Sequence, residues 1–362
     1  MEANDRTGTG PGATTAAREA CEPIARVVGA ARVGWSRRHD GLELFGIETG
    51  RRDESSAMLL SEALDQGLAD AEEIAGGQVP RLMLRNRCLR DVLVLDGDLL
   101  CGGRQDRVAN ATVLVKGQTE AVIPVSCVEQ GRWAGGLGSH AFRASPSKTP
   151  TSLQRRKAES TARIVLAGAG AAAALPAPDQ REVWNSVAGY HADLRSRSKT
   201  GAITHAYAAC GDEVADYVRA FDGVAREGAA DGVVAALHGR VLALDLVESP
   251  GLLRRLLPRI VRGHALEALA ARRTCPPRRG SPERPPRSPR PAVGRWLRTV
   301  AGIRTDAVRV GPSAGGHGLD VRLVGRRIVG SALVCDGRLV ALTAFRVSRP
   351  EGAPYRAKST VV

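Results

Sequence analysis

Between residues 91 and 133 the chain reads DVLVLDGDLLCGGRQDRVANATVLVKGQTEAVIPVSCVEQGRW, and no other stretch narrows the fold as much. Its apolar runs are rich in Val, Leu and Ile and too short for helices. Gly-, Asp- and Asn-containing punctuation separates them, which is the pattern of consecutive strands. Residues 91–95 form a nearly unbroken apolar run, as a strand covered on both faces requires. Asp96-Gly97-Asp98 is a turn by composition. Residues 108–115 and 120–128, joined at Lys116-Gly117, read as a hairpin. Pro124 in the second arm places that arm at a sheet edge or a bulge, because proline has no N–H to donate.

The flanking sequence alternates strand and helix patterns. Residues 42–47 alternate with period two, residues 61–67 suggest a short helix, and residues 69–74 suggest a further strand. Residues 134–151 are rich in Gly, Ser and Pro and read as a long loop. Helical patterns follow at 153–174, 179–190 and 213–221. Residues 232–246 form a hairpin around His238-Gly239. Ser249-Pro250 has the N-cap and first-turn chemistry of a helix start, and that helix is expected to kink at Pro258 and end near residue 271. Three strands close the chain, with Asp336-Gly337 a strong hairpin signal. The expected fold class is α+β, a largely antiparallel β core with flanking helices. Residues 1–22 read as a disordered tail, 23–346 as a single domain and 347–362 as a disordered C-terminal tail. A division near 135–155 into a β-rich half and an α/β half is the alternative.

Charge and cysteine usage exclude several function classes. The net charge of +14 at pH 7 invites a nucleic-acid reading. Eight of those charges fall between residues 271 and 298, where nine Arg face one Glu in a Pro-rich stretch. The part of it at 272–295 reads as a flexible insert lacking the interleaved aromatics that stack on bases, so nucleic acid is not the expected partner. Only five of the 52 basic residues are Lys. The seven Cys are scattered without a C-x-x-C pair, which fits neither a disulfide framework nor a zinc ribbon. The His spacings support no helix-borne metal site. The polar N-terminus has no signal-peptide core, and the run IVLAGAGAAAALPA is too short and too rich in Ala and Gly to span a membrane. A reducing cytoplasm is the expected compartment.

Two polar clusters interrupt the strands at 91–133 without being needed by them. The first holds Asp96, Asp98, Arg104, Gln105, Arg107 and Asn110 among glycines. Guanidinium forks and close backbone approach at Gly suit a phosphate or a sugar, and the bland reading is a turn with surface ion pairs. The second is Ser126-Cys127-Val128-Glu129 with Arg132 and Trp133. Cys127 has no His near it in sequence and reads as a buried strand residue. Glu129, Arg132 and Trp133 are the better ligand contacts.

These runs also resemble a known family. DGDLLCGGRQDRVAN (96–110), IPVSCVEQGRW (123–133), QREVWNSVA (180–188), SKTGA (198–202), the unit at 239–269 and GSALVCDGRLVALTAF (330–345) are similar to a bacterial domain family of unestablished activity. That family is named for its association with ADP-ribosylglycohydrolases and rhodanese-phosphatase-type proteins. Its pattern is an Asp-Gly-Glu turn followed by Gly-Ala-Lys-Gln-Asn-Arg; here Asp98 stands for the Glu, and Gly103, Arg104 and Asp106 for the Ala, Lys and Asn. The resemblance implies a role near NAD or ADP-ribose metabolism, with an ADP-ribose- or nucleotide-like ligand. Arg104, Arg107 and Arg132 would hold its phosphates, and Asp98 and Glu129 its ribose hydroxyls or a reacting water. Asp96, Gln105, Asn110 and Trp133 would complete the contacts; no cofactor is specified and no metal is implied. Two alternatives stand beside it: a non-enzymatic partner of a neighbouring ADP-ribosylglycohydrolase-type hydrolase, and nucleic-acid or acidic-surface binding through the Arg/Pro insert.

Overall fold

Three two-residue turns frame the architecture. Asp40-Gly41, His238-Gly239 and Asp336-Gly337 each hold both residues at positive φ (42° and 80°, 47° and 79°, 50° and 68°). This is the backbone of a type I′ turn, whose twist matches that of an antiparallel hairpin. The computed structural model describes residues 11–52, 55–74, 80–132, 141–167, 177–274 and 288–347.

In chain order, α1 (Pro11–Gly29) leads into β1 (Arg32–His39) and β2 (Leu42–Glu48). A middle section follows: β3 (Met58–Leu59), α2 (Leu60–Asp65), β4 (Ala69–Glu73), β5 (Arg81–Asn86), β6 (Val92–Val94) and β7 (Asp98–Gly102). It continues through β8 (Arg107–Ala109), β9 (Val113–Val115), β10 (Glu120–Cys127) and β11 (Phe142–Lys148). Four helices come next: α3 (Thr151–Leu166), α4 (Gln180–Asp193), α5 (Ile203–Ala209) and α6 (Gly211–Ala220). The hairpin β12 (Gly232–Leu237) and β13 (Arg240–Val247) precedes α7 (Pro250–Thr274) and α8 (Arg290–Ala301). The last four strands are β14 (Val308–Pro312), β15 (Leu319–Gly325), β16 (Ile328–Cys335) and β17 (Arg338–Arg346).

The first, twelfth and last strands share one eight-stranded sheet, in the order β1-β2-β12-β13-β17-β16-β15-β14. Every pair in it is antiparallel. β2 pairs with β12 from Ile47 opposite Gly232 to Leu42 opposite Leu237, so everything between them is an insertion into this sheet. The inserted strands form a six-stranded sheet, β11-β7-β8-β10-β5-β4, and a three-stranded one, β3-β6-β9, in which β3 and β6 run parallel. The α+β class with a largely antiparallel core is thus what the chain adopts.

The layers follow from which side chains each element buries. On one face of the large sheet, Phe45, Ile47, Val234, Leu244 and Leu342 pack with Ile24 of α1 and Val293 and Trp296 of α8. On the other, Leu44, Val233 and Leu333 pack with α7, whose buried residues include Leu252, Leu256, Ile260, Leu266 and Leu269. A helix apolar on nearly every side belongs in an interior, and α7 lies between the large sheet and the inserted section. The inserted sheets have a core of their own around Leu82, Leu84, Val92, Val113 and Ile123. Among the described residues, no helix is long and apolar enough to cross a membrane.

Several sequence expectations need correction. Residues 11–22, expected in a disordered tail, belong to α1, whose Ala20 and Ile24 are fully buried. Residues 142–148, expected in a loop, are β11, paired with β7. The expected insert at 272–295 is shorter at both ends, because α7 runs through Pro258 to Thr274 and α8 begins at Arg290. Residues 275–287 and 348–362 lie outside the described ones. The chain turns after β9 as expected, but β9 and β10 do not pair as a hairpin. β9 pairs with β6, and β10 pairs with β5 and β8. Pro124 is consequently in an interior strand. Its carbonyl accepts from Asn110 N, just beyond the end of β8, so the side that lacks an N–H faces no ladder strand.

Candidate functional site

The first predicted cluster folds around the turn that follows β7. Gly102 and Gly103 both have positive φ (131° and 51°). A Cβ would lie 2.5 Å from Ala141 O at the first and 2.4 Å from the Phe142 ring at the second. Only glycine fits that approach to β11. Arg132 closes the turn: its Nη1 donates to Gly103 O (2.7 Å), and its Nη2 to Gly102 O (3.3 Å) and Asp106 Oδ1 (3.2 Å). The same guanidinium meets Glu129, with Nε 3.0 Å from both carboxylate oxygens and Nη2 2.7 Å from Oε2. Glu129 Oε2 also accepts from Asp106 N (2.9 Å).

Behind this clamp, Arg107 is 2 % exposed. It donates to Cys127 Sγ (2.8 Å), Gln105 Oε1 (3.2 Å) and Glu73 Oε1 (3.3 Å). Glu73, the last residue of β4, also takes the backbone N–H of Arg104 (3.0 Å) and lies 3.4 Å from its Nε. From the helical side, the Gln180 amide brackets Cys127, accepting from its N–H and donating to its C=O (2.9 and 2.8 Å). The Ser-Lys-Thr-Gly turn at 198–201 docks on the same rim, where Thr200 O accepts from Gln130 N and Gly131 N (3.0 and 2.7 Å). Thr204 Oγ1 donates to Asp106 Oδ2 (2.8 Å).

The electrostatics follow from burial and from the single shared cation. Burial and the neighbouring Glu129 raise the Asp106 carboxyl above the usual range, against donors at Thr204, Gly102 and Arg132. Burial also acts to raise Glu129, but its hydrogen bonds from Arg132 and the Asp106 N–H prevail and hold it low. The thiols go the other way: burial raises Cys127 despite Arg107, and pushes Cys101 up to about 12. Neither is a thiolate near neutral pH, and the thiolate is the nucleophile. The arrangement is therefore a braced turn carrying an outward Arg104, whose side chain is 41 % exposed.

The other predicted residues lie elsewhere. Asp96, Asp98 and Asn110 face the seam between the inserted sheets and the eight-stranded sheet. Leu95 O accepts from Asp98 N across Gly97 (φ 90°), so the expected turn is present, but Asp96 and Asp98 are both buried. Asp96 meets Lys157 Nζ (3.1 Å) and Ser331 Oγ (2.9 Å), with Arg322 at 3.8 Å. Asp98 pairs with Arg259 of α7 (3.1 Å). Asn110 donates to Ser126 Oγ (2.9 Å), and its carbonyl accepts from Arg322 Nη2 (3.0 Å). Nearby, Lys148 and Asp245 form a further buried pair at 2.7 Å.

The structure thus gathers Arg104, Gln105, Arg107, Glu129 and Arg132 on one rim and sends Asp96, Asp98 and Asn110 to the seam. Trp133 lies outside the described residues. Sequence reasoning missed Glu73, Asp106, Gln180 and Thr204 on the rim, and Lys148, Lys157, Asp245, Arg259 and Arg322 in the seam. The one available signal was the scarcity of lysine: two of only five lie at 148 and 157, and both are buried.

Residues 30–345 match the family model of the ARG and Rhodanese-Phosphatase-superfamily-associated Protein domain, ARPP-1. The chain belongs to this family. The ARPP-1 match runs from just before β1 almost to the end of β17 and takes in both the rim and the seam. No curated protein and no solved structure matches the chain. The description associates the domain with ARG and rhodanese-phosphatase superfamily proteins, which agrees with the resemblance read from its motifs.

Proposed function

We propose that this ARPP-1 domain binds an ADP-ribose- or nucleotide-like anion at the rim of the 102–106 turn, with Arg104 as the principal phosphate donor. One observation carries the reading: Arg132 is committed to the two glycine carbonyls, Asp106 and Glu129. A guanidinium engaged in this way braces the turn, and a braced, glycine-lined turn lets a phosphate approach the backbone closely. Arg107 is buried and turned inward. Arg104, paired at Nε with Glu73 but 41 % exposed, is therefore the outward donor, and exposed Lys199 is part of the docked turn. In this reading Glu129 positions the turn, and Asp98, in the seam, takes no part.

The family description supports a second reading, in which the same rim contacts an ADP-ribosylglycohydrolase-type protein without chemistry of its own. Calorimetric titration of ADP-ribose and NAD into the full chain separates the two. Saturable binding, weakened at least tenfold by Arg104→Ala with an unchanged melting curve, is the expected result. No heat from either ligand, from protein that melts normally, would reject the ligand reading and leave the partner reading standing.

A further inference from the structure

The seam closes around a cavity of about 10 Å³, roughly the space of one water molecule. Its walls include Lys148, Thr149, Gln154, Asp245, Gly263 and His264. His264 enters from the middle of α7 and is 5 % exposed. Its Nδ1 lies 2.7 Å from Thr151 Oγ1, but its Nε2 has no hydrogen-bond partner among the described residues. Asp245 Oδ2 is 3.9 Å away, beyond direct hydrogen-bond reach. The other oxygen of that carboxylate, Oδ1, already accepts from Lys148 Nζ (2.7 Å) and Thr343 Oγ1 (3.0 Å).

We infer that this cavity is a binding site for a single water molecule, which accepts from His264 Nε2–H and donates to Asp245 Oδ2. The central helix is then tied to β13 through solvent, with Thr151 donating to Nδ1 to fix the tautomer. The size suits one water molecule. The charge balance favours a neutral guest: Lys148 and Asp245 compensate each other, and an added ion would lie buried without a partner. Burial lowers His264 against the pull of Asp245, which leaves the ring neutral. The helix packs closely on residues 148–149 at Gly263. A Cβ at Gly263 would lie 3.0 Å from Thr149 O and 3.3 Å from Lys148 O.

A crystal structure with ordered solvent tests this. One peak within about 3.2 Å of both His264 Nε2 and Asp245 Oδ2 is expected. An empty cavity, or direct contact between the two atoms, would overturn the inference. Oxygen-17 relaxation dispersion gives an independent count of long-lived internal waters. His264→Phe should lose one relative to the wild type, and an unchanged count would also overturn it. If that variant does not fold, the wild-type crystal structure decides alone.

Discussion

Replacing Lys148 by Met asks whether the seam behaves as a true interior. Lys148 and Asp245 are 4 % and 8 % exposed and 2.7 Å apart. Removing the cation leaves a buried carboxylate facing Thr343 and a neutral His264. Breaking one half of such a pair costs about 3–5 kcal/mol. At roughly 2–4 °C per kcal/mol for chains of this order of size, the melting temperature should fall by about 6–20 °C. Adding Asp245→Leu removes the stranded charge, so the double variant should be more stable than Lys148→Met alone. Burial acts to raise Asp245, but Lys148, His264 and the hydrogen bonds prevail and hold it below the ordinary carboxylate range. The stability this depressed group contributes is present above its unfolded value of about 3.9 and is lost as pH falls through the folded value. Without Lys148, burial dominates and the group protonates readily. The deficit of Lys148→Met should therefore be greatest near pH 7, shrink as pH falls toward about 4, and shrink further below it as the wild type loses its own contribution. Denaturant melts of the wild type, both single variants and the double across pH give the cycle. A single-variant loss under about 1 kcal/mol, as for an exposed pair, or a double variant as unstable as the summed singles, would refute the reasoning.

Two further outcomes follow from packing. Gly330→Ala would place a Cβ 2.1 Å from Thr343 O and 3.0 Å from Ala344 Cα inside the sheet; thermal melts should show a loss of about 3 kcal/mol or failure to fold. Gly29→Ala, with nothing within 4 Å, is the matched control and should be close to neutral. Iodoacetamide at pH 8 should leave Cys101 and Cys127 unmodified in the native protein and alkylate them on denaturation, as read by mass spectrometry, because burial raises both thiols. Rapid native labelling of Cys127 would contradict its placement behind Arg107.

Local chemistry made much of the fold legible. The glycine hairpins at 238–239 and 336–337, the capped start of α7 and the alternation at residues 42–47 are written in adjacent residues, and each forms where expected. What was hidden is non-local. The chain turns after β9 as its composition says, but which strand pairs across that turn depends on β5, β6 and β8 arriving from elsewhere. The apolar stripe of α8 was obscured by the arginines around it, although Val293, Trp296, Leu297 and Val300 are spaced to bury one face. The candidate site was half legible. Arg132 and Glu129 lie three residues apart and meet, whereas Asp96 and Asp98 are in a turn whose composition resembles a surface one. Their burial depends on Lys157, Arg259 and Arg322, which local sequence does not place beside them.

The insertion of the middle section between β2 and β12 also orders the assembly of the chain in time. As the polypeptide emerges during synthesis, β1 and β2 appear early, but the strand that covers the inner edge of β2 is about 180 residues further on. The intervening sheets have their own core and can consolidate while β2, paired with β1 on its outer edge and buried along nearly its whole length in the finished protein, waits with its inner edge open. The large sheet cannot close until β17 joins β13 to β16. Such long-range closure is slow and leaves apolar edges open meanwhile. Until β17 emerges, these edges stay open to the surroundings of the nascent chain.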